Sequence, residues 1–120
     1  MLSEELLELA RHCLEDLKAR NIRVLDVRKL TTVADYLVVA SGTSRRHVQS
    51  ISENLIETVK QQGQKPIGIE GKESGEWILI DLADVIVHVM QPGAREFYKL
   101  EDLWSVGTGA STGAVGGSNG

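Results

Sequence analysis

The sequence predicts an α/β domain of α+β character: a single mixed five-stranded sheet with helices mainly on one face. Three observations lead there. Apolar residues recur at helical spacing near the start and again in the middle of the chain. Between and after them lie apolar runs of strand length, separated by glycines and polar turns. The elements follow the order helix, strand, strand, helix, strand, strand, strand, helix, which suits one sheet and one dominant helical layer.

The first helix is expected from Ser3 to about Arg20. Leu2, Leu6, Leu9, Cys13 and Leu17 form its stripe. Ser3 suits the N-cap, Glu4 and Glu5 suit the first turn, and Asn21 suits a left-handed end. Ile22 to Val27 reads as a strand, and Arg28 to Asp35 as a connection. The run from Tyr36 to Ala40 is apolar throughout, as in a central strand covered on both faces. Ser41 to Ser44 stops it, and Thr43 or Ser44 caps a second helix from about Arg45 to Gln62.

A third strand is expected at Pro66 to Glu70, with Gly71 to Glu76 as the turn. Trp77 to Asp81 and Val85 to Met90 are the last strands. Pro92 suits the first position of a short helix through Phe97 and Tyr98. Leu100, Leu103 and Trp104 are expected to fold back on the core. One domain therefore covers residues 1–104. Residues 105–120 read as a flexible tail of the sort that cloning or a tag adds: positions 106–120 hold six of the twelve glycines and no charge.

Composition narrows the function classes. The chain is 42% hydrophobic and 25% charged, ordinary for a globular protein. No apolar run approaches the roughly 20 residues of a membrane span, so no membrane association is expected. The start lacks the basic and apolar regions of a signal peptide. One cysteine, Cys13, allows no internal disulfide and fits a reducing compartment, which points to the cytoplasm. A net charge of −4 opposes broad nucleic-acid binding, so little direct nucleic-acid contact is expected. Between positions 70 and 84, Glu70, Glu73, Glu76, Asp81 and Asp84 face only Lys72. Such a stretch would steer a basic partner.

Three features could carry chemistry. Ser41-Gly42-Thr43-Ser44 is a small-residue turn before a helix, a setting that can hold phosphate. Arg45 and Arg46 follow in the first helical turn, where the dipole disfavours them. The turn is not a P-loop, and a capped helix after a tight turn is the better account of it. Metal-dependent nucleotidyl transfer would also need paired carboxylates. The third strand offers only Glu70, and Asp81 and Asp84 flank a different turn. No catalytic residue, metal or cofactor is therefore expected, with a metal-dependent nucleotidyltransferase-like enzyme as the alternative. An RNA-binding module using Arg23, Arg28, Arg45 and Arg46 is a third reading.

Trp77 is the other informative residue. Strand alternation puts Trp77, Leu79 and Asp81 on one face, and Ile86, His88 and Met90 on one face of the next strand. A face that ends in a charge suits solvent, and an exposed Trp beside a Leu suits an interface anchor. Composition alone leaves Trp77 open between core and interface.

Asp35-Tyr36, Ser41 to Ser44, Glu70-Gly71, Trp77 with Asp81, Asp84-Val85 through Val87-His88, and the run from Arg95 to Trp104 together resemble the ribosomal silencing factor family, also called RsfS or Iojap. The resemblance covers residues 3–104. It implies a nucleotidyltransferase-like fold without catalytic carboxylates. It implies binding to the large ribosomal subunit through its basic protein numbered fourteen, which blocks joining of the small subunit and represses translation when nutrients are scarce. Under that implication Trp77 and Leu79 are apolar anchors, Asp81 and Asp84 pair with partner bases, and His88 and Met90 extend the patch. The exposed face would also allow a homodimer when the protein is free.

Overall fold

The computed structural model describes residues 1–102. Its elements are α1 (Ser3–Asp16), β1 (Arg20–Asp26), β2 (Tyr36–Ser41), α2 (Arg45–Gln61), β3 (Gly68–Glu70), β4 (Trp77–Asp81), β5 (Val85–Met90) and α3 (Pro92–Tyr98). The expectations placed on Leu103, Trp104 and the segment 105–120 lie outside the described residues.

One five-stranded mixed sheet has the order β1-β2-β5-β4-β3. Only β2 and β5 run parallel, with Val38 opposite Val87 and Val39 opposite His88. The remaining pairs are antiparallel. The two most apolar strands therefore lie side by side in the middle. All six residues of β2 are buried, as an apolar run in a doubly covered strand requires.

The helices α1 and α2 cover one face. Leu6, Ala10, Cys13 and Leu14 from α1 meet Val48, Ile51, Leu55 and Val59 from α2 over Val38, Ala40, Ile78, Ile80, Val87 and Val89. Each fully buried aliphatic side chain there contributes about 1.5–3 kcal/mol. Burial also explains Cys13, which packs as a small hydrophobe with its thiol pKa pushed up by desolvation. The other face holds a smaller cluster of Val27, Leu37, Val39, Met90 and Ala94. α3 and the segment after β1 cover that cluster at one end only, and β4 keeps a half-exposed outer row.

Several expected boundaries move. α1 ends at Asp16, not near Arg20, because Leu17 caps it and Lys18 turns left-handed (φ 61°). Asn21 is left-handed as well (φ 52°), but inside β1, where the β1–β2 register slips between Arg20 and Arg23. Its conformation makes a bulge and not a helix stop. The start of α1 also differs: Ser3 is already helical, and the Glu5 carboxylate accepts the Leu2 backbone N–H at 2.9 Å. β3 is shorter than expected, since Ile67 bonds to Asp81 through its N–H but lies 70% exposed before the strand proper.

Candidate functional site

The site is assembled on the face opposite α1 and α2. Register places Trp77 opposite Met90, Leu79 opposite His88, and Asp81 opposite Ile86. One row thus carries Trp77, Leu79 and Asp81, each half-buried, while Ile78 and Ile80 point into the helical core. Trp77 is neither core nor free surface. Its indole leans diagonally and donates from Nε1 to Nδ1 of His88 at 2.9 Å. Its other side meets Tyr98, with ring centroids 4.8 Å apart.

His88 is almost fully enclosed, at 5% exposure. Burial pushes its pKa down to about 4, so the ring is neutral at ordinary pH. Because Nδ1 accepts the indole N–H, the ring proton belongs on Nε2. Met90 is completely buried against Ala94 and Val39. The expectation that His88 and Met90 extend an exposed patch is therefore corrected. Both share the face of Trp77, but α3 closes over that end of β5, so they support the indole from beneath.

The exposed extension comes from α3 instead. Phe97 is 79% exposed and stacks edge-on against Tyr98 at 4.9 Å. Trp77, Tyr98 and Phe97 so form a continuous aromatic row that crosses from the sheet to the helix. A hollow of about 310 Å³ lies beside it, lined by Glu76, Gln91, Gly93, Ala94, Phe97 and Tyr98. The sequence places Phe97 and Tyr98 in the short helix after Pro92 but assigns them no part in the site.

The acids around the row are not equivalent. Asp81 accepts the Ala83 N–H at 2.9 Å and so closes the tight turn before β5, where Ala83 is left-handed (φ 76°). Asp84 is exposed. Its backbone carbonyl receives the N–H groups of Asp35 and Tyr36, which ties the start of β2 to the start of β5. α3 is held by Arg95, whose guanidinium forks onto Glu101 (2.9 and 2.8 Å) and also donates to Ser41 Oγ at 2.9 Å. That fork holds the Glu101 carboxyl below its usual pKa.

The Ser41–Ser44 turn is occupied by its own neighbours. Ser44 caps α2 by accepting the His47 N–H at 3.1 Å. The His47 ring accepts the Thr43 N–H at Nδ1 (2.8 Å) and donates from Nε2 to the Leu17 carbonyl (2.7 Å). Gly42 is required because a Cβ there would meet Val48 Cγ2 at 2.8 Å. Close packing and capping thus account for the small residues of the turn. Among the described residues, no group of three or more His, Cys, Asp or Glu could hold a metal ion, and no helix is long and apolar enough to cross a membrane.

A family model described as "Ribosomal silencing factor during starvation" matches residues 2–115. A curated relative from Chromobacterium violaceum, named ribosomal silencing factor RsfS, is 43% identical over 101 residues, which span 84% of this chain and 83% of the relative. A mouse protein named mitochondrial assembly of ribosomal large subunit protein 1 is 35% identical over 91 residues, covering 73% of this chain and 40% of that protein. A crystal structure of a Chromobacterium violaceum protein superposes with a TM-score of 0.86 at 40% identity, covering 98% of this chain and 97% of the other.

Proposed function

The chain belongs to the ribosomal silencing factor family, and on that premise we propose that it is a non-enzymatic translation repressor that docks on the large ribosomal subunit and blocks joining of the small one. The proposed contact is the subunit's basic ribosomal protein fourteen, and the proposed place of action is the cytoplasm. The observation that carries this reading is the aromatic row of Trp77, Tyr98 and Phe97 on a sheet face that α1 and α2 leave uncovered. Aromatic side chains in this setting are the usual energetic anchors of an interface. Leu79 widens the apolar centre, and exposed Asp84 with half-exposed Asp81 supply a negative rim for a basic partner. His88 and Met90 contribute by fixing the indole.

Steric exclusion needs only position and affinity, so it requires no catalytic group. The name of the mouse relative, with its reference to the ribosomal large subunit, is in keeping with that choice of subunit. Without a ribosome, the same patch is the surface on which two copies would meet as a homodimer.

The test is cosedimentation with purified large and small subunits, followed by a subunit-joining assay. Binding to large subunits alone, with joining inhibited in proportion, is the expected result. Binding to small subunits, or binding without inhibition of joining, would refute the mechanism.

A further inference from the structure

The turn that delivers Trp77 to the sheet is held from outside itself. Residues 71–76 join β3 to β4 and carry Glu73 and Glu76, both exposed, with Glu70 exposed just before them. Two side chains of the first turns of α2 reach across to its backbone. Arg45 donates from Nη2 to the Glu73 carbonyl at 2.8 Å. Gln49 donates its amide to the carbonyls of Lys72 (3.1 Å) and Glu73 (3.3 Å). From the far side, the Gln91 amide donates to the Gly75 carbonyl at 3.0 Å and the Gln91 N–H to that of Glu76 at 2.9 Å.

Packing agrees with the hydrogen bonds. Gly75 is buried, and a Cβ on it would sit 2.5 Å from Arg45 Cγ and 3.0 Å from the Arg45 carbonyl. The turn therefore lies directly on the stem of Arg45. Gly71 is pressed equally hard on the other flank, with a would-be Cβ 2.1 Å from the Trp77 carbonyl. The placement of Arg45 has a cost, since a cation in the first turn of a helix opposes the helix dipole. No acid occupies that turn of α2 to offset it. The Glu73 carbonyl gives the charge a use.

We propose that Arg45, backed by Gln49, is a positioning residue for an acidic docking turn: it orders residues 71–76 so that their carboxylates and the adjoining Trp77 meet a basic protein surface as one preformed unit. This rests on the function proposed above and adds a device to it. A turn with two glycines, Gly71 and Gly75, has wide backbone freedom that would otherwise have to be lost on binding, which weakens association. Ordering it beforehand leaves that cost out of the binding step. Arg45 itself need not touch the partner.

The experiment combines two readouts on Arg45→Ala, Gln49→Ala and Arg45→Lys in the full chain. Backbone hydrogen exchange of the free protein is read at residues 71–76 and, as a control, in β5. Affinity is read with purified large subunits. The expected result for Arg45→Ala is faster exchange in the turn, unchanged exchange in β5, and an affinity loss of about tenfold. Gln49→Ala should give a smaller effect in the same direction, and Arg45→Lys should recover part of both readouts. An affinity loss with unaltered exchange would overturn the proposal, because Arg45 would then act by direct contact. Faster exchange with unaltered affinity would overturn it too. Failure of the unsubstituted protein to bind large subunits would instead refute the function on which the proposal stands, and the exchange data would show which of the two had failed.

Discussion

The indole N–H of Trp77 is hydrogen-bonded to Nδ1 of His88 at 2.9 Å, joining the half-exposed residue at the start of β4 to an almost fully buried one in the middle of β5. The bond crosses the ladder diagonally, because the residue opposite Trp77 is Met90. It fixes both the tilt of the indole and the tautomer of the imidazole. It also separates two roles of Trp77 that substitutions can resolve.

Trp77→Ala removes the anchor and should weaken binding to large subunits by roughly 30-fold. Trp77→Phe keeps a ring against Tyr98 but leaves His88 Nδ1 without the indole donor. It should cost about 1–3 kcal/mol of stability, read by urea denaturation, with a smaller loss of affinity than Trp77→Ala. Equal affinity for Trp77→Ala and the unsubstituted protein would remove Trp77 from the interface.

Phe97 offers the complementary case. It is 79% exposed, so Phe97→Ser should change stability by no more than about 0.5 kcal/mol. It should nonetheless reduce affinity for large subunits several-fold if the aromatic row is the docking surface. A melting temperature that falls while affinity holds would place Phe97 in the fold instead.

Acid should weaken the fold through His88. Burial lowers its pKa from 6.5 to about 4 in the folded protein. Between those values the unfolded chain holds a proton that the folded chain excludes, so stability falls as pH falls. It is level with respect to this group above pH 6.5. The full difference corresponds to roughly 3 kcal/mol. Denaturation midpoints at pH 7 and pH 5 should therefore lie closer together in His88→Phe than in the unsubstituted protein. A parallel pair of pH profiles would contradict the assignment.

Glycine substitutions should separate strain from collision. Gly63 and Gly71 are both left-handed (φ 82° each), but a Cβ meets nothing within 4 Å at Gly63 and a carbonyl at 2.1 Å at Gly71. Gly63→Ala should cost about 1 kcal/mol from backbone strain alone. Gly71→Ala must also displace the backbone of Trp77, and thermal melting should show a clearly larger loss.

The fork between Arg95 and Glu101 sets the last test. Both side chains are nearly enclosed, and the remaining guanidinium nitrogen, Nη1, donates to Ser41 Oγ. Glu101→Gln leaves the Arg95 guanidinium facing a neutral amide in place of a carboxylate and should cost about 2 kcal/mol by chemical denaturation. In the unsubstituted protein that contribution is present above the ordinary carboxylate range. It disappears as pH falls through the depressed pKa of Glu101.

Local pattern carried much of this architecture. β4 and β5 begin and end where alternation and the short link Leu82-Ala83-Asp84 place them, and α2 falls between its Ser44 cap and Gly63. The end of α1 was not legible. Leu17 and Ala19 continue the apolar stripe past the true stop, and Lys18, which makes the turn, is not a residue that advertises a left-handed conformation. At the site, a period of two assigns a face but not a depth. His88 and Met90 share the face of Trp77, yet their depth depends on where α3 lands, and that is set by tertiary contacts such as Arg95 with Ser41. The use of Arg45 was hidden for the same reason: its partner carbonyl lies 28 residues away.

The strand order has a consequence for how the molecule comes into being. Among the described residues β5 is the last strand to leave the exit tunnel, yet it occupies the centre of the sheet, between β2 and β4. Until residues 85–90 are available, the β1–β2 pair and the β3–β4 pair are two ribbons with bare inner edges. No imidazole then underlies the indole of Trp77. Closure needs β2 and β5 to meet across a long stretch of intervening chain, a slow kind of contact. A nascent chain therefore cannot present the finished aromatic row of the proposed docking face until translation of the domain is almost over.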